Sequence, residues 1–288
     1  MPNTIIMKPN NDERRRYWTQ QMDEAYDFMM RALEIPVAEC GEPLASIETA
    51  VKDSGIKVLF SQSDIVPGMK RQFYLRKKLV EPFLKAAREL NDKGWMLIVE
   101  DGYRTTTMQK KLSLLPQVFD AVIERCFWEH GDLPPVDLVR RRLAALTAAH
   151  PKNGTHMSAS AIDISVQEIA TGKEVDRGRP YLELSELTPM ESPFIEKAAL
   201  ENRLAIRYVM ESNGFLAYPY EFWHYNQGDV YEAILHKTGQ PARYGAVHCD
   251  LTTGEITPVE DPMETLNSNV EIEQAMNDAL ARIEKIQS

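Results

Sequence analysis

Two histidines and two carboxylates in this chain have the types and setting needed to hold and use a metal ion. His156 and Asp163 lie in Thr155-His156-Met157-Ser158-Ala159-Ser160-Ala161-Ile162-Asp163, while Glu221 and His224 lie far downstream in Glu221-Phe222-Trp223-His224. Two imidazoles and one carboxylate can ligate zinc and leave its fourth position for water, and a further carboxylate can take that water's proton. These are the parts of metal-assisted hydrolysis. A single histidine more often satisfies the core or faces solvent, and His130, His150, His236 and His248, which lack comparable surroundings, read that way.

Glu221 precedes His224 by three residues. A carboxylate that close to a ligand can touch the metal's water without binding the metal, and burial beside Phe222 and Trp223 would raise its pKa toward working pH. On spacing alone, a surface glutamate at a strand start is an equal alternative. Arg104 closes the run Asp101-Gly102-Tyr103-Arg104 and is followed by three threonines. An arginine there can clamp a carboxylate or stabilise an oxyanion, and in isolation it would read as a surface ion-pair partner. Trp223 and Tyr225 read as core aromatics.

The elements that must position these residues follow from periodicity. Residues 12–35 read as a first helix stopped by Pro36, and a loop-rich stretch runs from there to about Met69. Leu79, Val80, Phe83, Leu84, Ala87 and Leu90 recur at helical spacing before Gly94. Trp95–Val99 reads as a buried strand, helices follow over about 114–128 and 136–149, and Ala161–Val166 alternates as a strand. A further helix covers about 193–212, and Phe215–Tyr218 and Phe222–Tyr225 read as aromatic-rich strands around Pro219. After Gly228 the pattern fades until Val270, Ile272, Met276, Leu280 and Ile283 outline an amphipathic helix. Helices and strands without regular alternation point to an α+β fold.

Composition narrows the function. The chain has 288 residues, 43% hydrophobic and 26% charged, as in a soluble globular protein. A net charge of −10 argues against nucleic acid as a partner. The runs Arg14–Arg16 and Arg140–Arg142 read as solvated helix faces. No apolar stretch is long enough to span a bilayer, and Met1–Lys8 makes a poor signal peptide. Three scattered cysteines suggest reduced thiols and a cytoplasmic setting.

Three of these segments, in order, resemble the motifs of the D-alanyl-D-alanine dipeptidase (VanX-type) metallopeptidases, whose patterns read DGYR, SxHxxGxAxD and ExWH. The resemblance covers about residues 95–228. It implies a hedgehog/DD-peptidase-like fold, with a small antiparallel sheet carrying the site and helices packed around it. It implies one zinc per chain held by His156, Asp163 and His224, with Glu221 as general base and acid and Arg104 as stabiliser of the intermediate. The implied substrate is a small free dipeptide, D-Ala-D-Ala or a related one.

The chain departs from the pattern at three places. Gly154 stands where the family has serine, with the hydroxyl of Thr155 next to it, and Ala159 stands where the family has glycine. The acidic residue that receives the dipeptide's ammonium falls on Leu182, which makes neighbouring Glu183 the candidate and Asp176 the second. Thr155, Glu183 and Tyr103 are therefore the expected substrate contacts. The expected organisation is a helical extension over 1–60, a catalytic domain over 61–228 and a C-terminal extension over 229–288. The extensions could cover the site or form a homodimer contact. The rivals are a carboxypeptidase acting on longer peptides and a non-hydrolytic zinc-binding protein on the same fold. Against the second stands the retention of both Glu221 and Arg104.

Overall fold

The computed structural model describes residues 12–237 and 239–287, with side chains to residue 283. The reading of Met1–Lys8 lies outside them. In chain order the elements are α1 (Asp12–Glu34), β1 (Leu44–Ser46), α2 (Ile47–Ser54), β2 (Val58–Phe60), β3 (Tyr74–Arg76), α3 (Lys77–Asp92), β4 (Trp95–Asp101) and α4 (Thr106–Ser113). Then follow α5 (Pro116–His130), α6 (Val136–Thr147), β5 (Ala161–Glu168), α7 (Lys197–Ser212), β6 (Leu216–Ala217) and β7 (His224–Asn226). The chain ends with α8 (Val230–His236), the hairpin of β8 (Val247–Cys249) and β9 (Ile256–Pro258), and α9 (Asn269–Gln287). The architecture is α+β, as expected.

The main sheet has the order β2-β4-β5-β7-β6. It is antiparallel except at its edge, where β2 runs parallel to β4; the strands that carry the site, β4, β5 and β7, are antiparallel as expected. Period-two alternation decides what each face carries. Ile162, Ile164 and Val166 of β5, with Leu97 and Val99 of β4, meet Leu79, Phe83 and Leu90 of α3 and Ile206, Val209 and Met210 of α7 in the largest core cluster. The intervening Asp163 and Ser165 project to the other face.

A register shift between Val99 and Asp101 places two β4 residues against one of β5. Strict alternation would have brought Glu100 opposite Asp163; the bulge brings Asp101 instead, the re-aiming such irregularities achieve beside active sites. Asp101 pairs with Asp163, and Asp163 with His224, so one row of side chains crosses three strands.

Helices α1, α4, α5 and α6 cover the site face. Trp18, Met22 and Ala25 of α1 pack on Ala145 of α6, and Phe28, Met29 and Ala32 pack on Tyr218 and Tyr231. Both expected domain boundaries are crossed by such contacts: β1 pairs with β3, Val37 bridges to Ala242, and Ile272, Met276 and Ala279 of α9 pack on Phe119 and Ile123 of α5. One of the basic runs is not a solvated face. Arg142 is buried, with its Nε 2.8 Å from Glu129 and its Nη1 2.8 Å from Asp23.

Candidate active site

The row Asp101, Asp163, His224 is completed by His156, which reaches it from the tight turn before β5. In that turn the Met157 N–H donates to Gly154 O at 2.8 Å and the Ala159 N–H donates to His156 O at 3.1 Å. Ala159 adopts φ 53°, the left-handed conformation that favours glycine, which accounts for the glycine expected at this position. Gly102 is required for a different reason. A Cβ there would stand 2.9 Å from Gln72 O and 3.2 Å from Tyr74 N, both backbone atoms.

The imidazoles are held by their outer nitrogens. His156 Nδ1 lies 2.7 Å from Gly102 O, so that nitrogen carries the hydrogen and Nε2 keeps its lone pair. His156 Nε2 is buried with no hydrogen-bond partner and lies 3.3 Å from Asp163 Oδ1. His224 Nε2 lies 3.0 Å from Thr155 Oγ1, and its Nδ1 lies 3.1 Å from the same Asp163 oxygen. One ligand atom from each of the three residues falls within 4.8 Å of the others, and all three residues are buried. An orphaned buried imidazole nitrogen facing a carboxylate oxygen and a second imidazole is the donor set that a divalent cation fits.

Protonation states agree. Burial, then the nearby Arg104 charge, lowers the pKa of His156 and favours the neutral ring that metal ligation requires. Burial alone would push Asp163 up, but His156 and His224 beside it outweigh that and hold it well below the usual carboxylate range. Its other oxygen, Oδ2, accepts from Tyr181 Oη at 2.9 Å and from Arg104 Nη2 at 3.2 Å.

Glu221 stands in the loop between β6 and β7, where the Glu221 N–H donates to Tyr218 O at 3.3 Å and the His224 N–H donates to Glu221 O at 3.2 Å. These tight turns place both residues at one cavity. Burial, reinforced by the Asp163 charge, pushes the Glu221 carboxyl up to about 8. Arg104 is fixed on three sides, by Asp101 Oδ2 at 2.6 Å, Gln109 Oε1 at 3.1 Å and Asp163 Oδ2. Burial opposes its charge, but Asp101 and Asp163 override that and keep it cationic.

The cavity over the row has a volume of about 470 Å³ and is lined by His156, Asp163, His224, Glu221, Arg104 and Thr155. The structure therefore brings six of the eight expected residues together. Tyr103 is not among them: it is fully buried and its hydroxyl donates to Val247 O at 2.8 Å, because neighbours in an extended segment point to opposite sides. Glu183 lies outside the cavity lining and ion-pairs with Arg179 at 3.1 Å. Asp176 is exposed and accepts from the Gly178 N–H at 2.8 Å. Sequence reasoning passed over Asp101, Gln109, Tyr181 and the cavity-lining Arg71, whose Nη1 lies 3.5 Å from Asp101 Oδ2. Asp101 alone carried a signal, as the first residue of the motif that ends in Arg104.

A mixed sheet that presents a His-Asp-His donor set beside a protonatable glutamate and a fixed arginine defines a metallopeptidase. Residues 65–240 match the family described as Peptidase_M15, D-ala-D-ala dipeptidase, and the chain belongs to that family. It is 26% identical over 246 residues to a D-alanyl-D-alanine dipeptidase of Synechocystis sp. (strain ATCC 27184 / PCC 6803 / Kazusa), covering 75% of this chain and 96% of that protein. It is 28% identical over 148 residues to one of Enterococcus faecium, covering 51% of this chain and 70% of that protein. A third, of Enterococcus faecalis (strain ATCC 700802 / V583), is 26% identical over 133 residues, 46% of this chain and 62% of that protein. The chain is a metal-dependent dipeptidase acting on small peptides. Among the described residues, no helix is long and apolar enough to cross a membrane.

Proposed function

We propose that this dipeptidase uses zinc and hydrolyses D-Ala-D-Ala or a closely related free dipeptide. The observation that carries the reading is the convergence of His156 Nε2, Asp163 Oδ1 and His224 Nδ1 in one cavity with Glu221 and Arg104. Those three atoms would hold one zinc per chain. When bound, zinc supplies Lewis acidity and lowers the pKa of a bound water toward ~7. Two neutral imidazoles and one carboxylate leave that centre a net positive charge.

The chain's own residues supply the rest. The Glu221 carboxylate takes a proton from the attacking water and returns it to the leaving amine. A pKa near neutrality suits a group that must do both, and Glu221 at about 8 in the metal-free chain would be lowered by a neighbouring cation. Arg104 faces the oxyanion that develops at the scissile carbonyl. Its three fixed contacts mean that it need not reorganise as charge appears. Thr155 and the Gly102 carbonyl hold the two rings in the tautomers ligation needs. The names of the three relatives support the substrate, and three free cysteines support a reducing, cytoplasmic setting.

The test is hydrolysis of D-Ala-D-Ala and its stereoisomers by the purified protein, with and without chelator. Cleavage lost on chelation and restored by zinc is expected. Cleavage indifferent to chelator, or no dipeptide cleaved by the zinc-loaded protein, overturns the reading.

A further inference from the structure

The cavity lining is of two kinds. Arg71 and Arg104 share Asp101. Leu112 of α4, Leu115 before α5, Val118 of α5 and Leu146 of α6 line the same space as Leu182 and Leu184 from the segment after β5. The first four and Leu184 are only partly buried, and Leu182, at φ 65°, is 47% exposed. Apolar side chains left partly uncovered around a concave space form the wall of a ligand pocket.

We propose that this chain recognises the amine-side residue of its dipeptide through a bulky apolar side chain seated against the Leu112–Leu146–Leu182 wall. The inference rests on the dipeptidase reading and names its substrate class. Arg71 is the cation of the lining, besides Arg104, that a substrate carboxylate can meet, which leaves the amine-side residue for the apolar wall. The preferred substrate is then larger than two alanines.

The experiment measures kcat/KM of the zinc-loaded protein for X-Ala dipeptides in the configuration it cleaves. X is alanine, leucine or phenylalanine. A rise of roughly tenfold or more from alanine to the bulkier residues is expected, the scale that a few methylenes command in an apolar pocket. Leu182→Asp, at an exposed position whose backbone suits aspartate, should erase much of the bulk preference. Alanine as the best X overturns the proposal, and so does a bulk preference that Leu182→Asp leaves unchanged. If no member is cleaved, the dipeptidase reading fails by itself. Calorimetric binding of the same peptides to zinc-loaded Glu221→Gln then decides the recognition claim, which a lack of bulk preference in binding would overturn.

Discussion

Asp101 anchors Arg104 at the site. It is fully buried; Oδ1 accepts from the Gly102 N–H at 2.9 Å, and Oδ2 accepts from Arg104 Nε at 2.6 Å with Arg71 Nη1 at 3.5 Å. Asp101→Asn keeps the shape and removes the charge. An amide has one acceptor where the carboxylate has two, so whichever way it turns, its NH2 faces a donor. If the oxygen serves Gly102, the nitrogen meets Arg104, and if it serves Arg104, the nitrogen meets Gly102.

The variant therefore loses one buried hydrogen bond and the counter-ion of two arginines. Breaking a buried pair in this way costs about 3–5 kcal/mol. Arg104 would also relax toward Asp163, its remaining carboxylate, and compete with the metal for it. The outcome expected is a stability loss of about 3 kcal/mol in chemical denaturation and a fall of about 10- to 100-fold in metal affinity or turnover. A double-mutant cycle supplies the control. In an Arg104→Gln background the Asp101→Asn penalty should shrink by at least ~1 kcal/mol, since one of its two partners is gone. An equal penalty in both backgrounds, or none in the parent, would refute the assignment of Asp101 as the anchor of Arg104.

His156→Ala and His224→Ala should each strip the protein of its metal, because one of three protein ligands carries a large share of a binding energy on the order of 10 kcal/mol; full zinc in both by elemental analysis would sink the ligand set. Glu221→Gln should keep the metal and lose at least ~10²-fold in kcat, and a near-normal kcat would place the base elsewhere. In metal-free protein the raised Glu221 pKa means that the folded state holds a proton the unfolded chain gives up. That contribution is whole below the unfolded value and lost as pH rises through about 8. Melts should thus show Glu221→Gln more stable than the parent at pH 9 and nearly equal to it at pH 4. Arg104→Lys should only partly rescue Arg104→Ala, with a deficit of roughly 3 kcal/mol mainly in kcat, since an ammonium cannot meet three fixed partners in one plane; a pure KM effect would reassign Arg104 to ground-state binding.

Long periodic stretches were legible in the sequence. Helix α3 and strands β4 and β5 fall where Leu79–Leu90, Trp95–Val99 and Ala161–Val166 place them, because each buries a face and burial imposes its period. Strands β1 and β2, with three residues each, and helix α2, with eight, are too short to show a period. They are held by partners distant in sequence, and β2 added the parallel edge that no local pattern could announce. Helix α4 hid behind three threonines, although Thr105 caps it by accepting from the Met108 N–H at 3.1 Å.

At the site, residue type and order picked out His156, Asp163, His224, Glu221 and Arg104, which the structure brings to one cavity. Orientation was not legible. Tyr103 and Arg104 are neighbours in one motif, yet one anchors Val247 and the other reaches Asp163. The outcome turns on a bulge between Val99 and Asp101 that leaves no trace in the residue pattern. Glu183 and Leu182 divide in the same way: with Leu182 in the left-handed conformation, the leucine lines the cavity and the glutamate ion-pairs with Arg179. A backbone twist at one residue thus decides whether the cavity gains a charge or an apolar wall. Asp163 and His224, on paired strands, are fixed by register, whereas Leu182, on a loop, sets the cavity wall through the backbone of one residue.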